Sequence, residues 1–282
     1  MPDLRPIYVC GPTAAGKSAV AIALAEEHGG EIVNADAYQV YRGLEILSAA
    51  PGPADLARVP HHLFSILDPS EPFDAFAYRQ RALPVIEEIA NRGRVPIVVG
   101  GSGMYLKFIT HGISPVPPSD PETRAQLETR TTEDLVSEFT ALDPVGAAKT
   151  NLTNRRYVIR ALEICLLAGR PMSSIKDAWE KSTSAQTASL RGVLLNPPAA
   201  DLRERILART RHMLDSGARD EVAALQNPSP TCQKAIGIAQ TQRWIRGEID
   251  RNDCQTLISH ATAQYAKRQR TWFKKETWLR NV

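Results

Sequence analysis

The chain has 282 residues, 43% of them hydrophobic and 23% charged, with a net charge of +3. That balance is ordinary for a globular protein, and the length allows one large domain or a core with an insertion around a substantial buried interior. No apolar run reaches the ~18 residues a membrane span needs, and the first residues lack the basic-then-apolar pattern of a leader, so a cytoplasmic location is expected. Cys10, Cys165, Cys232 and Cys254 are too scattered to pair as metal ligands and read as buried free thiols.

In chain order, residues 5–10 read as a strand and 17–28 as a helix, joined by Gly11-Pro12-Thr13-Ala14-Ala15-Gly16-Lys17-Ser18. Strand, glycine-rich turn and helix are the context a P-loop requires. The glycines let successive N–H groups turn toward a phosphate, and the helix start adds its positive end. Lys17 can reach the outer phosphate, and the Ser18 hydroxyl can ligate Mg²⁺. Residues 31–35 read as a second strand with Asp36 at its carboxyl end, the edge where chemistry gathers in parallel α/β sheets. Residues 51–53 read as a loop and 59–67 as a strand preceded by a turn. Residues 74–92 have helical spacing, 96–100 read as a buried strand, and Gly100-Gly101-Ser102-Gly103 as a second turn on the phosphate edge.

The proline-rich stretch 112–118 marks a boundary. Beyond it, residues 119–190 read as helical and poor in strands, with Asp120-Pro121 as a cap and first turn and a helix over 155–168. Residues 191–195 return as a strand, and 199–215, 218–226, 233–247 and 251–275 read as helices. The expected layout is therefore an α/β, P-loop NTPase-like parallel-sheet core (1–112), a helical insertion domain (113–190), then core completion and C-terminal helices (191–282). Clusters at Arg155, Arg156 and Arg160, and from Lys267 to Lys275, suggest a polyanionic partner.

The loop alone does not name the phosphate compound. Val98-Val99-Gly100-Gly101 ends in glycines where an NTPase usually carries an Mg²⁺-binding Asp, and no guanine-reading Asn-Lys-x-Asp occurs. The acidic candidate is Asp36, which the residues alone allow as a base, a cap or a water-mediated Mg²⁺ ligand. A small-molecule kinase fits the loop but leaves the basic helical chain after residue 112 without a purpose.

Several stretches together resemble the tRNA dimethylallyltransferase family: the loop at 11–18, Asn34 to Gly43, Val59 to Leu63, Val99 to Leu106, Arg155 to Glu163, Ala235 to Gly237 and Tyr265 to Phe273. The resemblance runs in order over nearly the whole chain. It implies transfer of a dimethylallyl group from dimethylallyl diphosphate to the exocyclic amine of the adenosine 3′ of the anticodon. Lys17, the loop amides, Mg²⁺ and Arg209 would then stabilise the diphosphate, and Asp36 would take the amine proton while Ser102 orients the amine. It also implies that Asp36, Ala37, Tyr38, Gln39 and Ser102 meet an extruded base. Arg124, the segment Arg156-Tyr157-Val158-Ile159-Arg160 and the segment Lys234-Ala235-Ile236-Gly237-Ile238-Ala239 would contact the anticodon stem-loop of tRNA. A monomer suffices. Ala37 and Ile238 stand where the family commonly has Ser and Tyr, so an altered tRNA preference is expected. The rivals are an adenylate isopentenyltransferase acting on AMP and a P-loop kinase.

Overall fold

The computed structural model describes residues 3–282, apart from the side chain of Gln186. The chain forms two compact units: one takes in the chain up to Thr110 and again Ser189–Val282, the other is His111–Ala188.

The first unit is built on a six-stranded parallel sheet. Its strands are β1 (Ile7–Cys10), β2 (Glu31–Asn34), β3 (His61–His62), β4 (Pro96–Gly100), β5 (Arg191–Leu194) and β6 (Leu279–Asn281), in the order β3-β2-β4-β1-β5-β6. β1, β2 and β4 are buried at every position, which is why they read as continuous rather than alternating apolar runs. Successive residues serve opposite layers. Tyr8, Val33 and Val98 join one core, with Tyr78 and Ile89 from the helix Ala75–Asn91 and Phe273 from the helix Arg251–Phe273. Ile7, Val9 and Ile97 join the other, under Ala21, Ile22 and Ala25 of the helix Lys17–His28.

This strand order fixes where a ligand can sit. From β1 the chain leaves toward β2 on one side, and from β4 toward β5 on the other. The carboxyl ends of these two neighbours therefore splay apart into a crevice at a topological switch point. The P-loop follows β1, the Gly100-Gly101-Ser102 turn follows β4, and Asp36 lies just beyond β2.

Several expectations need correction. The run 59–67 holds only a two-residue edge strand; Leu63 and Ser65 then take positive φ (64° and 48°) and turn the chain away. Residues 233–247 are a 3₁₀ turn, Cys232–Lys234, and a separate helix, Ile238–Ile245, because Gly237 at φ 110° interrupts them. The helix Pro53–Arg58 starts inside the stretch read as a loop, with proline at its first position, where a missing N–H costs nothing. β6, too short for its periodicity to register, lies beyond the last helix expected, 251–275, and pairs with β5.

The second unit packs the helices Pro121–Glu128, Thr132–Leu142, Pro144–Lys149, Arg155–Ala168 and Met172–Ala188 around Leu135, Phe139, Val158, Leu162 and Ile175. Buried Asp143 accepts from Gly146 N and from both Ser173 N and Ser173 Oγ, joining the starts of two helices.

Candidate active site

The P-loop curls through Ala14 (φ 62°) and Gly16 (φ 92°) into the helix Lys17–His28. Alternating left-handed residues of this kind turn backbone N–H groups to one side, as an anion requires. Lys17 folds back over the loop, its Nζ donating to Pro12 O at 2.8 Å. Burial pulls its ammonium down to about 8; the Asp36 charge opposes the shift and the Arg209 charge reinforces it. Arg209, from the helix Ala199–Asp215, donates through Nη2 to Thr13 Oγ1 at 2.6 Å. Its Nε is buried without a hydrogen-bond partner. A buried guanidinium N–H without an acceptor is costly in a folded protein, so a bound anion is its natural complement.

Asp36 is held by its backbone. Asn34, fully buried, donates from Nδ2 to Asp36 O (3.2 Å) and Leu63 O (2.9 Å) and accepts from Asp36 N at 2.8 Å. Asp36 Oδ1 accepts from Tyr38 N at 2.9 Å. Gly100 allows the β4 end to press against this turn: a Cβ there would collide with the Ala35 carbonyl. The Ser102 N–H then donates to Ala35 O at 3.2 Å, and Ser102 Oγ accepts from Ala37 N at 2.9 Å. Ser102 Oγ thus braces the Asp36 turn, and this bond does not test its expected part in orienting a substrate amine. Tyr265 lies beside it, and burial, with the Asp36 charge, pushes its phenol up.

Two cavities meet at the carboxylate. One, of about 320 Å³, is lined by Lys17, Ser18, Arg205 and Gln39, together with Ile32, His61 and Phe64. The other, of about 50 Å³, is lined by Tyr38, Leu47, Met213, Ala235, Ile236 and Tyr265. Thr13, Asp36, Ser48 and Arg209 belong to both walls. A cavity lined by the P-loop on one side and a more apolar, aromatic hollow on the other thus share Asp36. A larger groove, about 550 Å³ between the helices Ala199–Asp215 and Arg251–Phe273, touches neither Asp36 nor the P-loop.

Of the loop positions expected to cradle a phosphate, Gly11, Pro12 and Ala15 are buried behind the crevice, whereas Thr13, Ala14, Gly16, Lys17 and Ser18 line it. Gln39 lines it too, but its amide nitrogen is engaged by Ser48 O (3.2 Å) and Ala49 O (2.8 Å). In the segment 234–239, Lys234 and Ala239 are exposed, and Ala235 and Ile236 wall the smaller cavity. Ile238 is 1% exposed and belongs to the core, so it cannot be a surface contact as expected.

Within the second unit, Arg156 and Tyr157 are exposed, Tyr157 at 59%, while Val158 and Ile159 face the core of that unit and are packing residues rather than contacts. Glu163, completely buried, organises the basic face. Its carboxylate accepts from Arg160 Nη1 (2.7 Å), Ser119 Oγ (2.8 Å), Asp120 N (2.8 Å) and Arg124 Nη2 (3.4 Å). Burial alone would push this carboxyl up; the hydrogen bonds from Arg160, Ser119 and Asp120 hold it below the usual range.

Three residues at the site escaped the sequence reading. Arg205, one turn before Arg209 on the same helix face, lines the larger cavity; an i, i+4 arginine pair was its signal. His61 lines it as well. Gln269 falls inside the stretch Tyr265 to Phe273, but its contacts span 256 and 168 residues, beyond any local pattern.

The family model for IPP transferase matches residues 39–276. The chain belongs to the IPP transferase family. It is 46% identical to a tRNA dimethylallyltransferase of Akkermansia muciniphila over 276 residues, covering 98% of this chain and 92% of that one. It is 40% identical to tRNA dimethylallyltransferase 1 of Citrifermentans bemidjiense over 283 residues, with the same coverage. The crystal structure of a tRNA isopentenylpyrophosphate transferase from Bacillus halodurans superposes with a TM-score of 0.70 at 30% identity, over 99% of this chain and 90% of that one. A eukaryotic dimethylallyltransferase captured acting on tRNA gives a TM-score of 0.77 at 26% identity, over 99% of this chain and 74% of that one.

Proposed function

We propose that this IPP transferase family member moves a dimethylallyl group from dimethylallyl diphosphate to the exocyclic amine of the adenosine 3′ of the anticodon in tRNA. The observation that carries the reading is the position of Asp36 between two cavities, one cationic and lined by the P-loop, the other apolar and aromatic. The donor's diphosphate occupies the first, beneath the loop amides, Lys17 and Arg209. The extruded base enters by way of the second, between Tyr38 and Tyr265.

The allylic carbon–oxygen bond breaks and a carbon–nitrogen bond forms. The electron pair of the broken bond leaves with the diphosphate, and the amine proton passes to the Asp36 carboxylate. Lys17 and the Arg209 guanidinium, both lining the P-loop cavity, would meet the charge growing on the leaving group. Asn34 and Ser102 fix the turn that carries Asp36, so the base is held before substrate arrives. The oxygens of Ser18 and Asp36 on one crevice suit a hard cation held by few protein ligands, so Mg²⁺ fits here. When bound, Mg²⁺ supplies further neutralisation of the diphosphate.

The exposed Arg156 and Tyr157, the Glu163-held Arg124 and Arg160, and Lys234 are proposed as tRNA contacts. An AMP-prenylating enzyme has no use for such a basic face, and the curated relatives described above are named for tRNA. We propose a cytoplasmic monomer; among the described residues no helix is long and apolar enough to cross a membrane. The test is mass spectrometry of an anticodon stem-loop incubated with the protein, dimethylallyl diphosphate and Mg²⁺. A gain of one dimethylallyl group on that adenosine supports the reading; transfer to AMP with an untouched stem-loop overturns it.

A further inference from the structure

We propose that Gln269 is a positioning residue that sets the spacing between the diphosphate cradle and the Asp36 carboxylate. Its side chain, on the helix Arg251–Phe273, is 5% exposed, and both ends of the amide are used. Oε1 accepts from Thr13 N at 2.8 Å, inside the P-loop. Nε2 donates to Gly101 O at 2.9 Å, inside the turn after β4. One amide therefore bridges the two segments that diverge at the switch point.

Each end of that bridge leads to a working group. Thr13 is also the residue whose hydroxyl receives Arg209. Gly101 precedes Ser102, whose oxygen accepts the Ala37 N–H beside Asp36. The path from cradle to carboxylate thus runs Thr13, Gln269, Gly101, Ser102, Ala37. Gly101 has no room for a side chain, since a Cβ there would strike the Gln269 amide nitrogen. Only a group with a donor at one end and an acceptor at the other satisfies both partners. Glutamate has the same shape but offers acceptors alone, and would set an oxygen against the Gly101 carbonyl. Methionine keeps the volume and offers neither strong bond.

A displacement of ~1 Å between reacting groups can cost about 100-fold in rate, so a slack bridge should register in the chemistry. This inference rests on the prenyl-transfer reading of the site. Wild type, Gln269→Glu and Gln269→Met are compared in single-turnover transfer from dimethylallyl diphosphate to the stem-loop. Donor KM, stem-loop Kd and unfolding temperature are measured alongside, with rates normalised to folded protein. Positioning predicts that the variants raise donor KM and slow the single-turnover step by about tenfold each or more, with stem-loop Kd within about twofold of wild type. A packing role alone lowers the unfolding temperature and leaves both kinetic quantities at wild-type values, which overturns the proposal. If Gln269→Glu does not fold, Gln269→Met decides on the same criteria. A wild-type protein that transfers nothing would sink the functional reading instead.

Discussion

Arg209 reaches across from the helix Ala199–Asp215 to hydrogen-bond Thr13 Oγ1 at 2.6 Å, while its own Nε stays buried and unpaired. The guanidinium is thus anchored at one nitrogen and unpaired at another, and Arg209 lines both cavities that contain Asp36. Arg209→Lys keeps a charge but cannot hold Thr13 and a phosphate oxygen in one rigid fork. The expected result is a fall of about 100-fold in single-turnover transfer, with a weaker donor KM, on the scale of losing one donor to developing charge. Rapid-quench assays at saturating stem-loop check it.

On the proposed reading, Lys17 should give the reaction a basic limit. Its ammonium is pulled to about 8 by burial, and the protonated form is the one that would hold a diphosphate. As pH rises through that value the free enzyme loses the charge, so kcat/KM for the donor should fall on the alkaline side with a midpoint near pH 8. An unmodified lysine would delay the loss to above pH 10. A pH profile of donor kcat/KM that stays flat to pH 9.5 contradicts the assignment.

Ser102 separates bracing from substrate contact. Because its oxygen accepts the Ala37 N–H, Ser102→Ala should cost about 1 kcal/mol of stability and slow transfer by roughly tenfold through a looser Asp36 turn. Thermal unfolding and single-turnover rates together check this: a rate loss with unchanged stability would favour direct contact with the amine.

Glu163 ties Arg160 and Arg124 to the chain at Ser119 and Asp120. Glu163→Gln should weaken stem-loop binding several-fold while leaving the transfer rate at saturating RNA unchanged. The sign with pH follows from its lowered carboxyl: the contribution is complete above the ordinary glutamate value and is lost as pH falls below it toward the folded value. Fluorescence titration of the stem-loop and acid unfolding of the two proteins check both parts.

Much of the site was legible because its signals are local. The spacing of Gly11, Gly16, Lys17 and Ser18 fixes a loop geometry by itself, and the apolar runs of β1, β2 and β4 announce a buried parallel sheet. The role of Gln269 was not legible, since its partners Thr13 and Gly101 lie far off in sequence. Ile238 misled for another reason: the family resemblance assigned the whole segment 234–239 to the RNA, and only packing shows this residue in the core. The inward turn of Val158 and Ile159 within an exposed basic stretch follows from helical periodicity, which reading the segment as one unit overlooked.

The central claim is that Asp36 takes the proton at the junction of the two cavities. The measurement is the single-turnover rate of Asp36→Asn on the anticodon stem-loop, with stem-loop Kd determined in parallel. The account predicts a rate lower by roughly 10²–10⁴ and a Kd within about twofold of wild type, because the amide keeps the shape and loses the base. Transfer at close to the wild-type rate would contradict it.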